Sequence, residues 1–299
     1  MFNTINQVWI DTYKDNLIHS LQQKDSRLVA LVSNDTMRGE KTRFNYIGKA
    51  AMHEKTDKGA DTVFDDLTFW NRWISRRRFL YDTLLDQDED IENLATNPTS
   101  DIVKAAMMAA KRQKDIVIVN AFFGTAWTGK EAETAVEFPD AQKLNIQLGS
   151  PSGAPANIGL TLAKILEAKY RFDAAEIDPD EPRYMGVTAY QVKELLNTTE
   201  IKNADYNSVK ALAEGKIDTF AGFKFIQTEQ FLHSDDKTIR YLPAWTQESV
   251  KFAVSTDIQV NITVESLKNN SYHPHVEMAC GAVRLFDEGV IMVPCAETH

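Results

Sequence analysis

Apolar positions near the amino terminus recur at helical spacing. Ile5, Val8, Trp9, Tyr13, Leu17 and Leu21 share one face, with Asp11, Lys14, Asp15 and Gln22 opposite, which predicts an amphipathic helix over 2–24. Two β-rich runs follow, 28–33 and 42–47, separated by Asn34, Asp35 and Gly39, and this order predicts a hairpin. Residues 49–66 turn polar and are too long for a tight connection, so they read as an extended excursion. FWNRWISRRRFLYD, 69–82, alternates bulky side chains as a strand does, and a short acidic helix is expected over 82–95.

The clearest element comes next. Val103, Ala106, Met107, Ala110, Val117 and Ala121 repeat at helical spacing, Ser100 can cap the amino end, and Gly124 suits the carboxyl end. One helix from Ser100 to Phe123 would run about 36 Å at 1.5 Å per residue. Its β-branched cluster, Ile116 to Val119, disfavours an isolated helix, so tertiary packing must hold that end.

After Gly129 the chain is richer in turns. A helix is predicted over about 156–171, then a strand at RYMGVT (183–188) and a helix at AYQVKELLN (189–197). A further helix at NSVKALAEG (207–215) and a strand at TFAGFKFIQ (219–227) follow. Residues 248–264 hold two alternating runs, SVKFAVS and IQVNITV. GAVRLF and VIMVPC flank Asp287-Glu288-Gly289 and predict a final hairpin. The whole reads as an α+β chain without repeats.

Composition narrows the function. A chain of 299 residues can bury a substantial core. No apolar run approaches the roughly 18 residues that a bilayer span needs, and the amino terminus lacks a basic start followed by an apolar block, so a soluble protein made in the cytosol is expected. The formal net charge of -10 opposes collection of a phosphate backbone, so sequence-specific nucleic-acid binding is not expected. Arg76-Arg77-Arg78 is followed closely by Asp86, Asp88, Glu89 and Asp90, a pattern suited to carboxylate pairing or a solvated face. Cys280 and Cys295 lie in apolar segments and read as buried thiols.

One motif does suggest chemistry. Gly124, Gly129 and Lys130 in FFGTAWTGKE reproduce the G-x-x-x-x-G-K of a phosphate-binding loop. That loop needs a strand before it, a helix after it and a hydroxyl after the lysine for magnesium. Here Glu131 replaces the hydroxyl, Glu133 and Glu137 add carboxylates where phosphate would rest, and the preceding segment is read as helix. His273 and His275 are the one close histidine pair, and no other Cys or His stands at a spacing that completes a metal set. Phe64, Phe69, Trp70 and Trp73 could stack bases but, without surrounding positive charge, suit a packing cluster or interface anchor. No catalytic, cofactor-binding or metal-ligating residue is therefore assigned. An extended polar arm and an amphipathic terminus without a catalytic set point to assembly.

The order of segments resembles the major capsid protein of tailed bacteriophages, with the Hong Kong 97 fold. The likeness is carried by residues 64–129, by DYNSVKALAEGKIDTFAGFKFI (205–226) and by ACGAVRLFDEGVIMVPC (279–295). It implies an N-terminal arm at 1–33 and an extended loop at 34–81. It implies a peripheral domain at 82–129 and 246–299, with the helix from Ser100 as its spine, and an axial domain at 130–245. It further implies hexamers and pentamers in an icosahedral shell around double-stranded DNA, with scaffolding, portal and decoration proteins as partners and no membrane. Some members of that family cross-link a loop lysine to an asparagine; Lys49, Lys55 and Lys58 lie in the matching loop, but no pair is assigned. A separate scaffold and a processed mature chain both remain open. The alternatives are a nucleotide-binding enzyme using Gly124 to Lys130 and a shell protein that encloses no genome.

Overall fold

The computed structural model describes residues 22–50, 52–54, 58, 64, 66–85, 99–150, 156–197 and 219–297. Among them, three sheets and one long helix set the architecture. The first sheet is built on a long hairpin, β11 (Val250–Glu265) with β12 (Ser271–Arg284). Its edges are β1 (Ser33–Thr36), parallel to β11, and β4 (Arg77–Asp82), antiparallel to β12. The second sheet runs in the order β13 (Val290–Ala296), β10 (Ile239–Thr246), β7 (Arg183–Val187), β9 (Phe223–Gln227), β8 (Thr219–Phe220). The third joins β2 (Lys41–Ile47), β3 (Phe69–Ser75), β5 (Ala126–Thr128) and β6 (Thr134–Val136).

The predicted long helix forms as α1 (Thr99–Phe123). It already includes Thr99, so Ser100 lies within the helix. Gly124 follows its last residue as expected, and a Cβ there would lie 2.6 Å from the Asn120 carbonyl oxygen, which accepts the Gly124 amide. The β-branched end packs as required, since Val117, Ile118, Val119 and Phe122 are all buried in the main core. That core also takes Phe172 and Ile165 from α2 (Leu162–Ala174), Trp245 and Leu242 from β10, Phe252 from β11, and Val290, Ile291 and Val293 from β13. Trp245 lies against Phe122 and Tyr184 at centroid distances of 4.8 and 5.6 Å. A smaller cluster of Met37, Ile74, Ala126, Ala253, Val283 and Leu285 joins the first and third sheets.

Several expectations need correction. Residues 28–33 and 42–47 are not a hairpin: Val29–Leu31 is a 3-10 turn, β1 pairs with β11, and β2 pairs with β3. Residues 69–82 are two strands in different sheets, broken at Arg76, whose amide donates to the Glu40 carbonyl. The two runs over 248–264 form one strand, β11, with register shifts between Val254 and Gln259. Asp287-Glu288-Gly289 does not close a hairpin, because β12 pairs with β11 and β4 whereas β13 pairs with β10. The helix expected at 156–171 begins later, at Leu162, with the Thr161 hydroxyl accepting from the Lys164 amide. The segment 183–197 behaves as read, giving β7 and then α3 (Ala189–Asn197), but TFAGFKFIQ is not the single strand expected: positive φ at Ala221 and Gly222 folds it back on itself as β8 and β9. Residues 22–24 are outside any helix, as are 83–85. The remainder of the helices expected over 2–24 and 82–95, and the whole of that over 207–215, lie outside the described residues. Among the described residues no helix is long and apolar enough to cross a membrane.

Candidate functional site

The phosphate-loop motif occupies the wrong architecture. Its first glycine follows a helix, and its lysine sits in the turn between β5 and β6, so helix–loop–hairpin replaces strand–loop–helix. The turn is already filled by its own acid. Glu133 accepts from the amides of Lys130 at 3.1 Å and Glu131 at 2.7 Å, and backbone bonds of this kind, that from Glu131 foremost, hold its carboxyl below the usual range. Gly129 has φ +102°, a conformation open to glycine at little cost, and is fixed by the Asn71 side chain at its amide and the Trp73 indole at its carbonyl. Amides that would hold a phosphate therefore hold a carboxylate of the same chain.

Polar groups that are buried serve instead to join segments. Arg284 is fully buried at the end of β12 and donates to the carbonyls of Phe122 (2.9 Å) and Gly124 (3.0 Å) at the carboxyl end of α1, where the last carbonyls lack intrahelical partners. It also donates to Asp287 at 2.6 Å, and Asp287 accepts from Arg72 of β3 at 3.0 Å. Asp115, fully buried within α1, accepts from the Ser26 hydroxyl, the Gln23 side-chain amide and the backbone amides of Arg27 and Leu28. Glu297 accepts from Arg240 (3.1 Å), Gln191 (2.8 Å) and Thr188 (3.2 Å). Burial alone would raise the Glu297 carboxyl, but these donors outweigh it and bring it below its ordinary value. Lys164, also fully buried, donates to the carbonyls of Ile158, Gly159 and Pro294, each at 2.8 Å, while desolvation lowers its pKa. These groups tie segment to segment across the fold.

The histidine pair has a companion that spacing could not reveal. β12 places His273 and His275 on one face, and β4 sets Asp82 opposite His275. Asp82 Oδ1 lies 3.1 Å from His273 Nε2 and 2.5 Å from His275 Nδ1. Arg77 and Arg78 are exposed on β4, and Cys280 and Cys295 are free, buried thiols on β12 and β13. Lys49 reaches Glu176 at 3.3 Å with both side chains in solvent. Lys55 lies outside the described residues.

The surface holds what the interior does not use. At one end of the β2–β3 ladder Ile47, Phe69 (71% exposed) and Trp70 (51% exposed) project into solvent, whereas Trp73 is half-buried and faces Arg43. On the outer half of the long hairpin Val260, Ile262 (48% exposed) and Val264 (55% exposed) alternate along one face of β11, uncovered. The aromatic group is thus divided between a packed residue and unpacked ones.

The family model described as phage capsid protein matches residues 5–297. No curated protein matches the chain. Among solved structures, the capsid of the cyanophage P-SCSP1u is similar with a TM-score of 0.69 and 15% identity, covering 98% of this chain and 94% of that one. Mycobacterium phage Che8 gives 0.67 and 14% over 98% of each chain. The acidic stable capsid structure of Helicobacter pylori bacteriophage KHP30 gives 0.69 and 11% over 99% of this chain and 98% of that one. The α+β fold is that of these capsids.

Proposed function

The chain belongs to the phage capsid protein family, and we propose that it is the major coat subunit, forming hexamers and pentamers of a closed icosahedral head around double-stranded DNA. Its role is structural. The observation that supports this most is the exposed apolar surface on strands: Ile47, Phe69 and Trp70 on the β2–β3 ladder, and Val260, Ile262 and Val264 on β11. Exposed patches of this kind mark interaction sites. Patches on two different sheets suit a subunit that touches several neighbours. Repetition of modest contacts around closed rings then gives a durable shell from individually reversible interfaces.

The division into an arm (1–33), an extended loop (34–81), a peripheral domain (82–129 and 246–299) and an axial domain (130–245) belongs to the same proposal. In its favour, β1 and β4 are opposite edges of the sheet built on β11 and β12, so the chain leaves one edge and returns to the other through 37–76. The two proposed units are joined, not separated, at the second sheet, where β13 lies beside β10. Scaffolding, portal and decoration proteins are the expected partners, and the net charge of -10 suits a wall that encloses DNA without gripping it. The virion capsid is the place of action, after synthesis in the host cytoplasm.

Light scattering and negative-stain microscopy of the purified chain test this. Rings or closed shells are expected, with nuclease-protected DNA in particles from infected cells; a strict monomer at every salt and concentration overturns the proposal. Trp70→Asp and Ile262→Asp should change the stability of the unassembled chain by less than about 0.5 kcal/mol, as exposed substitutions do, yet stop assembly. Deleting 49–66 should leave a folded chain that assembles poorly.

A further inference from the structure

We propose that Asp82, His273 and His275 form a binding site for a zinc-type divalent cation. The three come together because strand alternation turns residues 273 and 275 to one face and the β4–β12 register brings the carboxylate beside them. One nitrogen of each imidazole and one oxygen of Asp82 all lie within 4.8 Å of one another. Zinc bonds of about 2.0–2.2 Å require tetrahedral ligand atoms roughly 3.3 Å apart, a spacing that small side-chain rotations reach from here. The donor set of two nitrogens and one oxygen suits zinc, cobalt or nickel over calcium or magnesium, which prefer oxygen alone.

A second set of residues supports the same reading. Each histidine presents one nitrogen to Asp82 and its other nitrogen to a different carboxylate: His273 Nδ1 lies 3.6 Å from Glu265, and His275 Nε2 lies 4.0 Å from Glu277. Both contacts are longer than a hydrogen bond as they stand; a small side-chain rotation that closes them would let each carboxylate fix the tautomer of a metal-binding imidazole and raise its basicity. Three carboxylates around two imidazoles also leave an excess of negative charge that a divalent cation offsets. The histidines and Asp82 are partly exposed, so the cation can enter and a water can complete the fourth position. A bound ion would tie the end of β4 to the long hairpin, next to the backbone pairing of Leu85 with Tyr272. This inference concerns a single subunit and does not depend on how subunits assemble.

The test is a calorimetric titration of the untagged, unassembled full chain with zinc chloride, with calcium and magnesium chloride as controls. One saturable zinc site per chain is expected, with no comparable response to calcium or magnesium. Asp82→Asn and His275→Ala should each lower zinc affinity at least tenfold, and Glu265→Gln by about tenfold. Cobalt(II) should give visible absorption bands that the Asp82→Asn chain loses. Long-range ¹H–¹⁵N imidazole spectra of the unaltered chain should show the rings of His273 and His275 shifting together on zinc addition, a readout that needs no variant to fold. Absence of saturable zinc binding, equal binding by the variants, or zinc shifts confined to other histidines would overturn the proposal and leave a hydrogen-bonded cluster only.

Discussion

Arg284→Leu tests how the end of α1 is held. The guanidinium is fully buried, and its removal strands the Phe122 and Gly124 carbonyls, which it reaches at 2.9 and 3.0 Å. Each unpartnered buried carbonyl costs about 1–3 kcal/mol. Asp287 loses its 2.6 Å donor but keeps Arg72, and the leucine recovers some apolar burial, so the loss falls at about 3–5 kcal/mol, the range for breaking a buried ion pair. For a chain of this size about 2 °C of melting temperature corresponds to 1 kcal/mol, which gives a fall of about 6–10 °C. Urea unfolding of the unassembled chain, followed by tryptophan fluorescence, to which buried Trp245 contributes, measures it. Arg284→Lys should fall between, because one ammonium cannot reach the carbonyls and Asp287 in the same planar fork. Lys49→Ala serves as the contrast: its pair with Glu176 is 73% and 82% exposed, and such pairs contribute about 0–1 kcal/mol. A loss below about 1 kcal/mol for Arg284→Leu, within the range of an exposed pair, would refute the assignment of this residue as the anchor of α1.

Asp115→Ala removes the acceptor shared by the Arg27 and Leu28 amides and the Ser26 hydroxyl. A loss of about 2–4 kcal/mol is expected from buried donors left unpaired, with faster hydrogen exchange at Arg27 and Leu28; unchanged exchange would count against it. Glu297 has a depressed carboxyl, so its contribution is fully present above the unfolded value of about 4.3 and is lost as pH falls through the folded value. Glu297→Gln should flatten that acid limb of a stability–pH curve, and an unchanged slope would show that other acids carry it. Burial pushes the Cys280 thiol up to about 11 and the Cys295 thiol up to about 12. A disulfide reagent at roughly pH 8 should therefore modify neither in the native chain and both after unfolding. Rapid reaction of either in the native state would contradict the packing of β12 or β13.

Elements whose cause is local were legible in the sequence. The periodicity of Val103 to Ala121 suffices for α1, and β7 and α3 follow from short runs, whereas the turn at Ala221–Gly222 that splits 219–227 into β8 and β9 was not read. Pairing was not legible where neighbours in sequence part company in space. The GAVRLF–DEG–VIMVPC segment has the hydrophobic pattern and turn residues of a hairpin, yet the partners of its two strands lie elsewhere, at Val250–Val254 and at Ile239–Trp245. Leu285 to Gly289 gives no sign of this, since Gly and Asp also suit a chain crossing from one sheet to another. Residues 69–82 misled for the same reason: alternation continues through Arg76 while the hydrogen-bonding partner changes from β2 to β12.

The sites divide in the same way. The misfit of the phosphate loop could be read from Glu131 and Glu133, because a missing hydroxyl and a wrong charge belong to the residues themselves. The tie made by Asp115 could not, although an acid beside Ile116 to Val119 must find a partner if that stretch is buried; the partners stand near residue 27, at the other end of a long separation in sequence. Asp82 is likewise 191 residues from His273. This separation of cause from position bears on function. Arg284 and Asp115 hold the sheets and helix together from within, whereas Trp70 and Ile262 are exposed on strands that those ties support. Substitutions at the first pair should therefore lower stability and, through it, assembly, while those at the second should affect assembly alone. A folded Trp70→Asp chain that formed normal particles would break this link between the exposed apolar strands and the coat.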